Sequence, residues 1–299
     1  MYTEFNKRLV IVGGSGLIGR NLTKACIDKK INFLSTYYSN KIFNNQIKFN
    51  INENRQELVN KLDEKDIVII FSAYANPNWV FENKSKAYDF NVVKTIDFIN
   101  EVKKRKSKIF FLSSVEVFDG KNGNYKENDK KNPLNFYGEN KTEVENYIIN
   151  NLDNYCIVRT GWNIGMSFES RCVIKLTYNT LLSDNAKMAH DNFFTITHVE
   201  DFCKNLIQII DHQDDKVIHL SSDFKISRIQ LADSIIKNSL LAKKMRYKKV
   251  AFSEIKFKEP RSRLNNLNTE LIKSKFNLKF RDPFLVIKEK IKILDKNYS

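Results

Sequence analysis

Lys7-Arg8-Leu9-Val10-Ile11-Val12-Gly13-Gly14-Ser15-Gly16-Leu17-Ile18-Gly19-Arg20 is the stretch whose reading decides the fold. An apolar, β-branched run, Lys7–Val12, meets a glycine-rich turn without a spacer. That turn opens at once into a helical pattern over Leu17–Lys30. A strand, a glycine turn and a helix N-terminus in direct succession make an anion site. The first-turn N–H groups lack intrahelical partners, and the helix dipole favours negative charge there. In this reading Gly13 permits the tight turn, Gly16 lets a phosphate approach the backbone, and Gly19 lets the helix lie close to the sheet. The spacing is G-x-x-G-x-x-G, and the expected ligand is a pyrophosphate held by Gly13, Ser15, Gly16, Leu17, Ile18 and Gly19.

Outward from this turn, β-branched runs alternate with helical patterns. Strands are expected at Lys7–Val12, Ile31–Thr36, Ile47–Ile51, Asp66–Ala73, Lys108–Ser114 and Tyr155–Thr160. Helices are expected at Leu17–Lys30, Glu53–Leu62, Lys86–Lys104 and Asn135–Asn151. Several of the strands are apolar on both faces, as a parallel sheet covered by helices requires. The spacing predicts an α/β fold with a doubly wound parallel sheet, and a dinucleotide-binding domain over residues 1–165. After Trp162 the periodicity loosens. A helix is expected near Arg171–Ser183, a strand near Phe193–Thr197, a helix near Val199–Asp211, a strand near Lys216–Ser221 and a helix near Arg228–Leu240. Residues 166–192 and 223–299 are expected to form a smaller C-terminal substrate lobe, with a segment at about 193–222 returning to the first domain.

Composition narrows the function classes. With 299 residues, 42% hydrophobic and 12% aromatic, the chain can bury a sizeable core and is not wholly disordered. No window approaches the roughly 18 apolar residues of a membrane span. Met1–Arg8 is polar, without a charged-then-apolar secretion signal, so a cytoplasmic location is expected. Cys26, Cys156, Cys172 and Cys203 have no short paired spacing and read as reduced, buried thiols. His190, His198, His212 and His219 form no H-x-x-x-H pair, so no metal centre is expected. The 50 Lys and Arg against 35 Asp and Glu give a net charge of +15. That charge is spread along the chain, and its densest run, Lys103–Lys106 with Lys108, closes a helix. This favours a small anionic partner, a phosphorylated metabolite, over nucleic acid.

The end of the second strand separates two dinucleotides. An NAD site usually carries an Asp or Glu there to hold the ribose 2′-hydroxyl. Here the region reads Ser35-Thr36-Tyr37-Tyr38-Ser39-Asn40-Lys41, with hydroxyls and a lysine but no carboxylate. A 2′-phosphate suits such a loop, so NADP(H) is preferred over NAD(H), with Ser35, Tyr37, Ser39 and Lys41 as contacts. Further along, Tyr137-Gly138-Glu139-Asn140-Lys141 lies on the helix expected at Asn135–Asn151. Positions i and i+4 share a helix face. An ammonium beside a phenol lowers its pKa and lets it pass a proton near neutral pH. Upstream, the strand Lys108–Ser114 ends in Ser113-Ser114, whose side chains point to opposite faces, so one of them faces a site at the strand tip.

The glycine turn, Ser114, Tyr137 and Lys141, in this order and setting, resemble the extended short-chain dehydrogenase/reductase superfamily, with its Rossmann sheet. Within it the likeness is to dTDP-4-dehydrorhamnose reductases and related sugar-nucleotide enzymes. The segments Phe111–Gly120, Asn132–Gly138, Val158–Gly165 and Pro260–Leu264 carry that likeness. The resemblance implies that Ser114 is the catalytic hydroxyl, Tyr137 the proton donor and Lys141 its partner. It implies that Ser72-Ala73-Tyr74 runs along the cofactor, that Asn50-Ile51 meets the adenine, and that Asn91 faces the site. Trp162 is implied to contact the nucleotide-sugar substrate, with Glu116 and Arg261 as further candidate substrate residues, and a homodimer is compatible with the family. Lys243, Lys244, Arg246, Arg261 and Arg263 are candidates to attract the substrate's diphosphate.

Departures are present. Val115-Glu116 stands where close relatives have Asp-Tyr, Asn50 replaces an Asp, and Asn265-Asn266 replaces Asp-Thr. The resemblance implies an NADP(H)-dependent reductase of a nucleotide-linked keto-deoxysugar. The alternatives are a sugar-nucleotide epimerase or dehydratase, or a non-catalytic NADP-binding subunit. The regulatory subunit of methionine adenosyltransferase resembles the same reductases.

Overall fold

Four consecutive residues at each of two places, Leu9–Val12 and Ile67–Ile70, are almost wholly removed from solvent. Strands apolar on both faces must be covered on both faces, and the sheet is built around them. The computed structural model describes residues 7–169, 172–211 and 214–298. Most of Met1–Arg8, the expected helix start at Arg171, and His212 lie outside the described residues.

The strands, in chain order, are β1 (Leu9–Val12), β2 (Phe33–Tyr37), β3 (Gln46–Lys48), β4 (Ile67–Ile70), β5 (Lys108–Ser114), β6 (Tyr155–Thr160), β7 (Trp162–Ile164), β8 (Lys187–Ala189), β9 (Phe193–His198), β10 (Val217–His219), β11 (Lys225–Ser227), β12 (Lys248–Val250) and β13 (Leu264–Asn265). The helices are α1 (Leu17–Lys29), α2 (Arg55–Val59), α3 (Pro77–Glu82), α4 (Lys84–Tyr88), α5 (Thr95–Lys104), α6 (Phe136–Asn151), α7 (Val173–Leu181), α8 (Val199–Ile209), α9 (Arg228–Asn238), α10 (Glu270–Lys275) and α11 (Pro283–Tyr298).

The chain divides into two units. The first comprises residues up to Asp119, Lys130–Arg159 and Cys203–Ile218. Its seven-stranded sheet has the order β10-β6-β5-β4-β1-β2-β3, and β1 pairs in parallel with both β2 and β4. This is the doubly wound order, in which the connections reverse direction between β1 and β4 and leave a crevice at the carboxyl ends of those strands. Three expected elements differ. The strand expected at Ile47–Ile51 stops at Lys48, because Asn50 enters a side-chain turn: its Oδ1 accepts from Asn52 N–H, and its own N–H donates to Asn54 Oδ1. The single helix expected at Lys86–Lys104 is interrupted by a π-helical stretch, Asp89–Lys94, where Thr95 Oγ1 donates to Phe90 O, five residues back. Helix α3 was not foreseen; it starts on Pro77, whose fixed φ suits a first helical position.

The second unit comprises Gly120–Asp129, Thr160–Phe202 and His219–Ser299. β9 pairs with β7, β11 and β13, and β8 pairs with β12. The expected returning segment is therefore shared: β9 serves this second sheet, while α8 beyond Phe202 belongs with the first unit. Helices α7, α9 and α11 contribute to its apolar core around Tyr178, Leu231 and Ile291. All four cysteines are free and buried. Among the described residues no helix is long and apolar enough to cross a membrane.

Candidate active site

The strands β1, β4 and β5 lie side by side, so their carboxyl ends form one rim of the first unit. The glycine turn occupies the end of β1. Gly13 has φ +87°, a conformation that L side chains rarely adopt, and a Cβ there would stand 2.9 Å from the Ser72 amide nitrogen. Its N–H donates to Thr36 Oγ1 at 3.0 Å, which ties the turn to β2. A Cβ on Gly19 would strike Gly13 O at 2.2 Å, so α1 can press this close to the turn only with glycine there. Gly16 caps α1 and is exposed, and no side chain caps the helix or places a carboxylate in its first turn. Ser15, Leu17 and Ile18 are half-buried around it. Beside the turn, the buried Ser72 hydroxyl has no hydrogen-bond partner. Open amides, a missing side-chain cap and an orphaned hydroxyl suit the pyrophosphate of a dinucleotide.

At the tip of β5, Ser114 and Ser113 diverge. Ser113 is 2% exposed and turned into the interior, whereas Ser114 is half-buried and its Oγ accepts from Glu116 N–H at 3.2 Å. Asn135 then starts α6. Its Oδ1 accepts from Gly138 N–H at 2.9 Å as an N-cap, and its Nδ2 donates to Glu116 Oε2 at 2.7 Å. A Cβ on Gly138 would lie 2.2 Å from Glu116 O, so only glycine lets the first turn of α6 seat against the short turn Val115–Val117. This contact brings the Tyr137 phenol to Ser114, whose hydroxyl lowers the phenol's pKa. Lys141 follows one helical turn later. Its Nζ donates to Leu112 O at 2.8 Å and stands 5.9 Å from the centre of the Tyr137 ring. Serine, tyrosine and lysine are thus gathered at one strand tip.

The electrostatics correct one expectation. Lys141 was expected to pull the phenol's pKa down. Burial and the Glu116 carboxylate instead raise it, and the Ser114 hydrogen bond offsets only part of that rise. Lys141 is itself lowered to about 8 by burial, with Glu145 opposing the shift. Tyr137 is therefore a neutral phenol at pH 7, the form that donates a proton.

Other expected contacts fall in different places. The Ser35 hydroxyl is buried against the glycine turn, where a Cβ on Gly14 would stand 2.0 Å from it, and it also meets Thr23 Oγ1, 2.8 Å away, and Gln46 Nε2, 3.2 Å away. Asn91 is buried against Tyr74. Its Oδ1 accepts from Tyr74 N–H and its Nδ2 donates to Tyr74 O, so it clamps the backbone after β4. Tyr37 is half-buried at the end of β2, and Ser39 and Lys41 are exposed beyond it. Asn50 and Ile51 are buried after β3, and Ala73 and Tyr74 are half-buried beside Ser72. Trp162 opens β7 and packs on the core of the second unit, to which the half-buried Arg261 also belongs. Thr36, Asn135 and Gly138 were missed. Asn135 ahead of a helix was a legible cap signal, but Gly138 shows its purpose only when two elements touch.

A family model described as the RmlD substrate binding domain matches residues 7–294. The chain belongs to this family. Similar proteins include a dTDP-4-dehydrorhamnose reductase of Aggregatibacter actinomycetemcomitans, 32% identical over 162 residues, which are 53% of this chain and 52% of that protein. The chain thus spans about half the length of that curated relative. Methionine adenosyltransferase 2 subunit beta of Bos taurus is 25% identical over 249 residues, 77% of this chain and 71% of that protein. A crystal structure of dTDP-4-dehydrorhamnose reductase from Bacillus anthracis in complex with NADP superposes with a TM-score of 0.77, at 19% identity, over 96% of this chain and 99% of that one. At 19% identity that likeness shows the fold alone.

Proposed function

We propose that this protein is an NADP(H)-dependent reductase of a nucleotide-linked keto-deoxysugar. One observation carries the reading: at the tip of β5 a neutral phenol, Tyr137, meets the Ser114 hydroxyl, on the same sheet rim as an uncapped glycine cradle. The cradle residues Gly13, Ser15, Gly16, Leu17, Ile18 and Gly19 hold the pyrophosphate. Ser39 and Lys41 take the 2′-phosphate, for no carboxylate stands between Lys30 and Asn52 to repel it. When bound, the dihydronicotinamide supplies a hydride. Tyr137 gives its proton to the developing alkoxide, and Ser114 donates a hydrogen bond to the same oxygen. Lys141, with three donors, holds ribose hydroxyls near its present partner Leu112 O. The relatives named reductases and the NADP complex support this class and cofactor. Purified protein should oxidise NADPH when given a nucleotide 4-keto-6-deoxysugar.

The similarity to methionine adenosyltransferase 2 subunit beta favours a second reading, a cofactor-binding partner subunit. Micromolar NADPH binding with no turnover across a panel of keto-sugar nucleotides would establish it instead. Consumption of NADPH in step with substrate would exclude it.

A further inference from the structure

Helix α11 supplies Val286, Ile287 and Ile291 to the apolar core of the second unit. Arg281, two residues ahead of its first residue Pro283, reaches back to the end of β9 and the first turn of α8. The Arg281 N–H donates to Asp201 Oδ2 at 2.9 Å, Nε stands 3.2 Å from Asp201 Oδ1, and Nη2 donates to Glu200 Oε2 at 2.9 Å. Nη1 lies 3.9 Å from Glu289 Oε2 on α11 and 3.0 Å from Nε2 of His198. His198 is the last residue of β9 and is 2% exposed. Its Nδ1 accepts from Glu200 N–H at 3.2 Å. Both ring nitrogens thus meet donors, one an amide and the other a guanidinium.

A neutral imidazole carries a proton on one nitrogen and accepts at the other, whereas an imidazolium carries a proton on both. A guanidinium stays charged and has no acceptor. Neutral His198 therefore sets one N–H against a donor. Protonated His198 sets two, and it places a second cation 3.0 Å from the guanidinium. The charged groups that act on the ring are Arg281 from the segment before α11, Glu200 and Asp201 from α8, and Glu289 from α11. Its neighbour in β7 is the apolar Ile164. The three carboxylates favour the imidazolium, but Glu200 and Asp201 are bonded to Arg281. Burial, with Arg281 beside the ring, outweighs them and holds the pKa of His198 below its ordinary value.

We propose that His198 and Arg281 form an acid-sensitive latch, which holds the start of α11 to the end of β9 while the imidazole is neutral and opens when the ring takes a proton. The latch is independent of the proposed reaction. Above the ordinary histidine pKa of about 6.5 it contributes in full. As pH falls from there through the folded value, the unfolded chain takes up a proton that the folded ring refuses, and the contribution is lost. The segment freed by opening runs from Arg281 into the first turn of α11, where Leu285 and Val286 N–H donate to Asp282 O.

The test follows the full chain, without ligands, between pH 7.5 and 5.5. The imidazole C2–H resonance that His198→Gln abolishes should titrate below pH 6.5 in the wild type, and Arg281→Met should move its midpoint up. A wild-type midpoint at or above 6.5, or one that Arg281→Met leaves in place, overturns the proposal. Amide exchange of the Arg281 N–H, corrected for the intrinsic effect of pH, should quicken several-fold at pH 5.5 in the wild type and stay slow in His198→Gln, whose side chain gains no charge. Equal exchange in the two proteins at pH 5.5 overturns the opening. In urea, the wild-type folding constant should fall several-fold more than that of His198→Gln over the same interval, and this excess should shrink in an Arg281→Met background. A merely structural His198 would give the same deficit at both pH values, and that result also overturns the latch. If Arg281→Met fails to fold, Glu289→Lys, at an exposed position, replaces a charge that favours the imidazolium with one that opposes it; the His198 midpoint should then move further down, and an unmoved midpoint overturns the proposal.

Discussion

Helix α6 carries two buried charges one turn apart, and they are treated in opposite ways. Glu145 receives the Arg159 fork and a Lys131 contact at 3.2 Å. Burial alone would raise its pKa, yet these partners hold it below the ordinary carboxylate value. Lys141 has a backbone carbonyl and the faces of Phe111 and Tyr137, and burial lowers it to about 8. The difference separates a charge matched inside the fold from one that is not. The matched charge fixes α6 against β6, while the mismatched one suits the role proposed for Lys141.

Breaking the matched side should have the largest effect. Glu145→Ala leaves Arg159 buried without its carboxylate and should cost about 3–5 kcal/mol in urea unfolding. Because the folded carboxyl titrates below its unfolded value, Glu145 stabilises above the unfolded pKa, and that stabilisation is lost as pH falls through the folded pKa. The deficit of the variant should therefore shrink in acid; a deficit constant down to pH 2 would contradict the assignment.

The mismatched side predicts the reverse sign. Between pH 8 and 10.5 the unfolded chain holds the Lys141 proton and the folded chain does not, so stability rises with pH across that window. Relative to Lys141→Met, the wild type should gain roughly 3 kcal/mol there, measured as paired urea midpoints. No relative gain would mean that Lys141 is not desolvated.

Tyr137→Phe should slow NADPH-coupled reduction by at least ~10²-fold, about 2.7 kcal/mol, while its urea midpoint stays at the wild-type value. Equal turnover would remove Tyr137 from the mechanism. The smallest effect belongs to Glu116→Gln. Its carboxylate helps to keep the phenol neutral, so the tyrosinate absorbance that Tyr137→Phe abolishes should appear at lower pH in this variant. An unmoved titration would show that Glu116 does not act on Tyr137.

Much of the first unit was legible because its signals are local. The apolar run before Gly13, the glycine turn and the Tyr137–Lys141 spacing each need only neighbouring residues, and the strands at Lys108–Ser114 and Tyr155–Thr160 appear with the expected bounds. What stayed hidden depends on contacts distant in sequence. The bonds of Ser35 to Gln46 and of Asn91 to Tyr74 could not be read from neighbouring residues. The sign of the Tyr137 shift comes first from burial, and then from Glu116, 21 residues upstream, which Asn135 ties down. In the second unit the strands β7, β8, β11, β12 and β13 are two or three residues long, too short to show a period.

The buried cysteines have a practical consequence. Burial holds the thiols of Cys26 and Cys156 at about 12, so they resist alkylation while the chain stays closed. Cys26, Cys156 and Cys203 lie in the first unit and Cys172 in the second. Each thiol is thus a native clock for the opening of its own surroundings, and mass spectrometry after a timed pulse of alkylating reagent can rank the breathing of the two units with no engineered label.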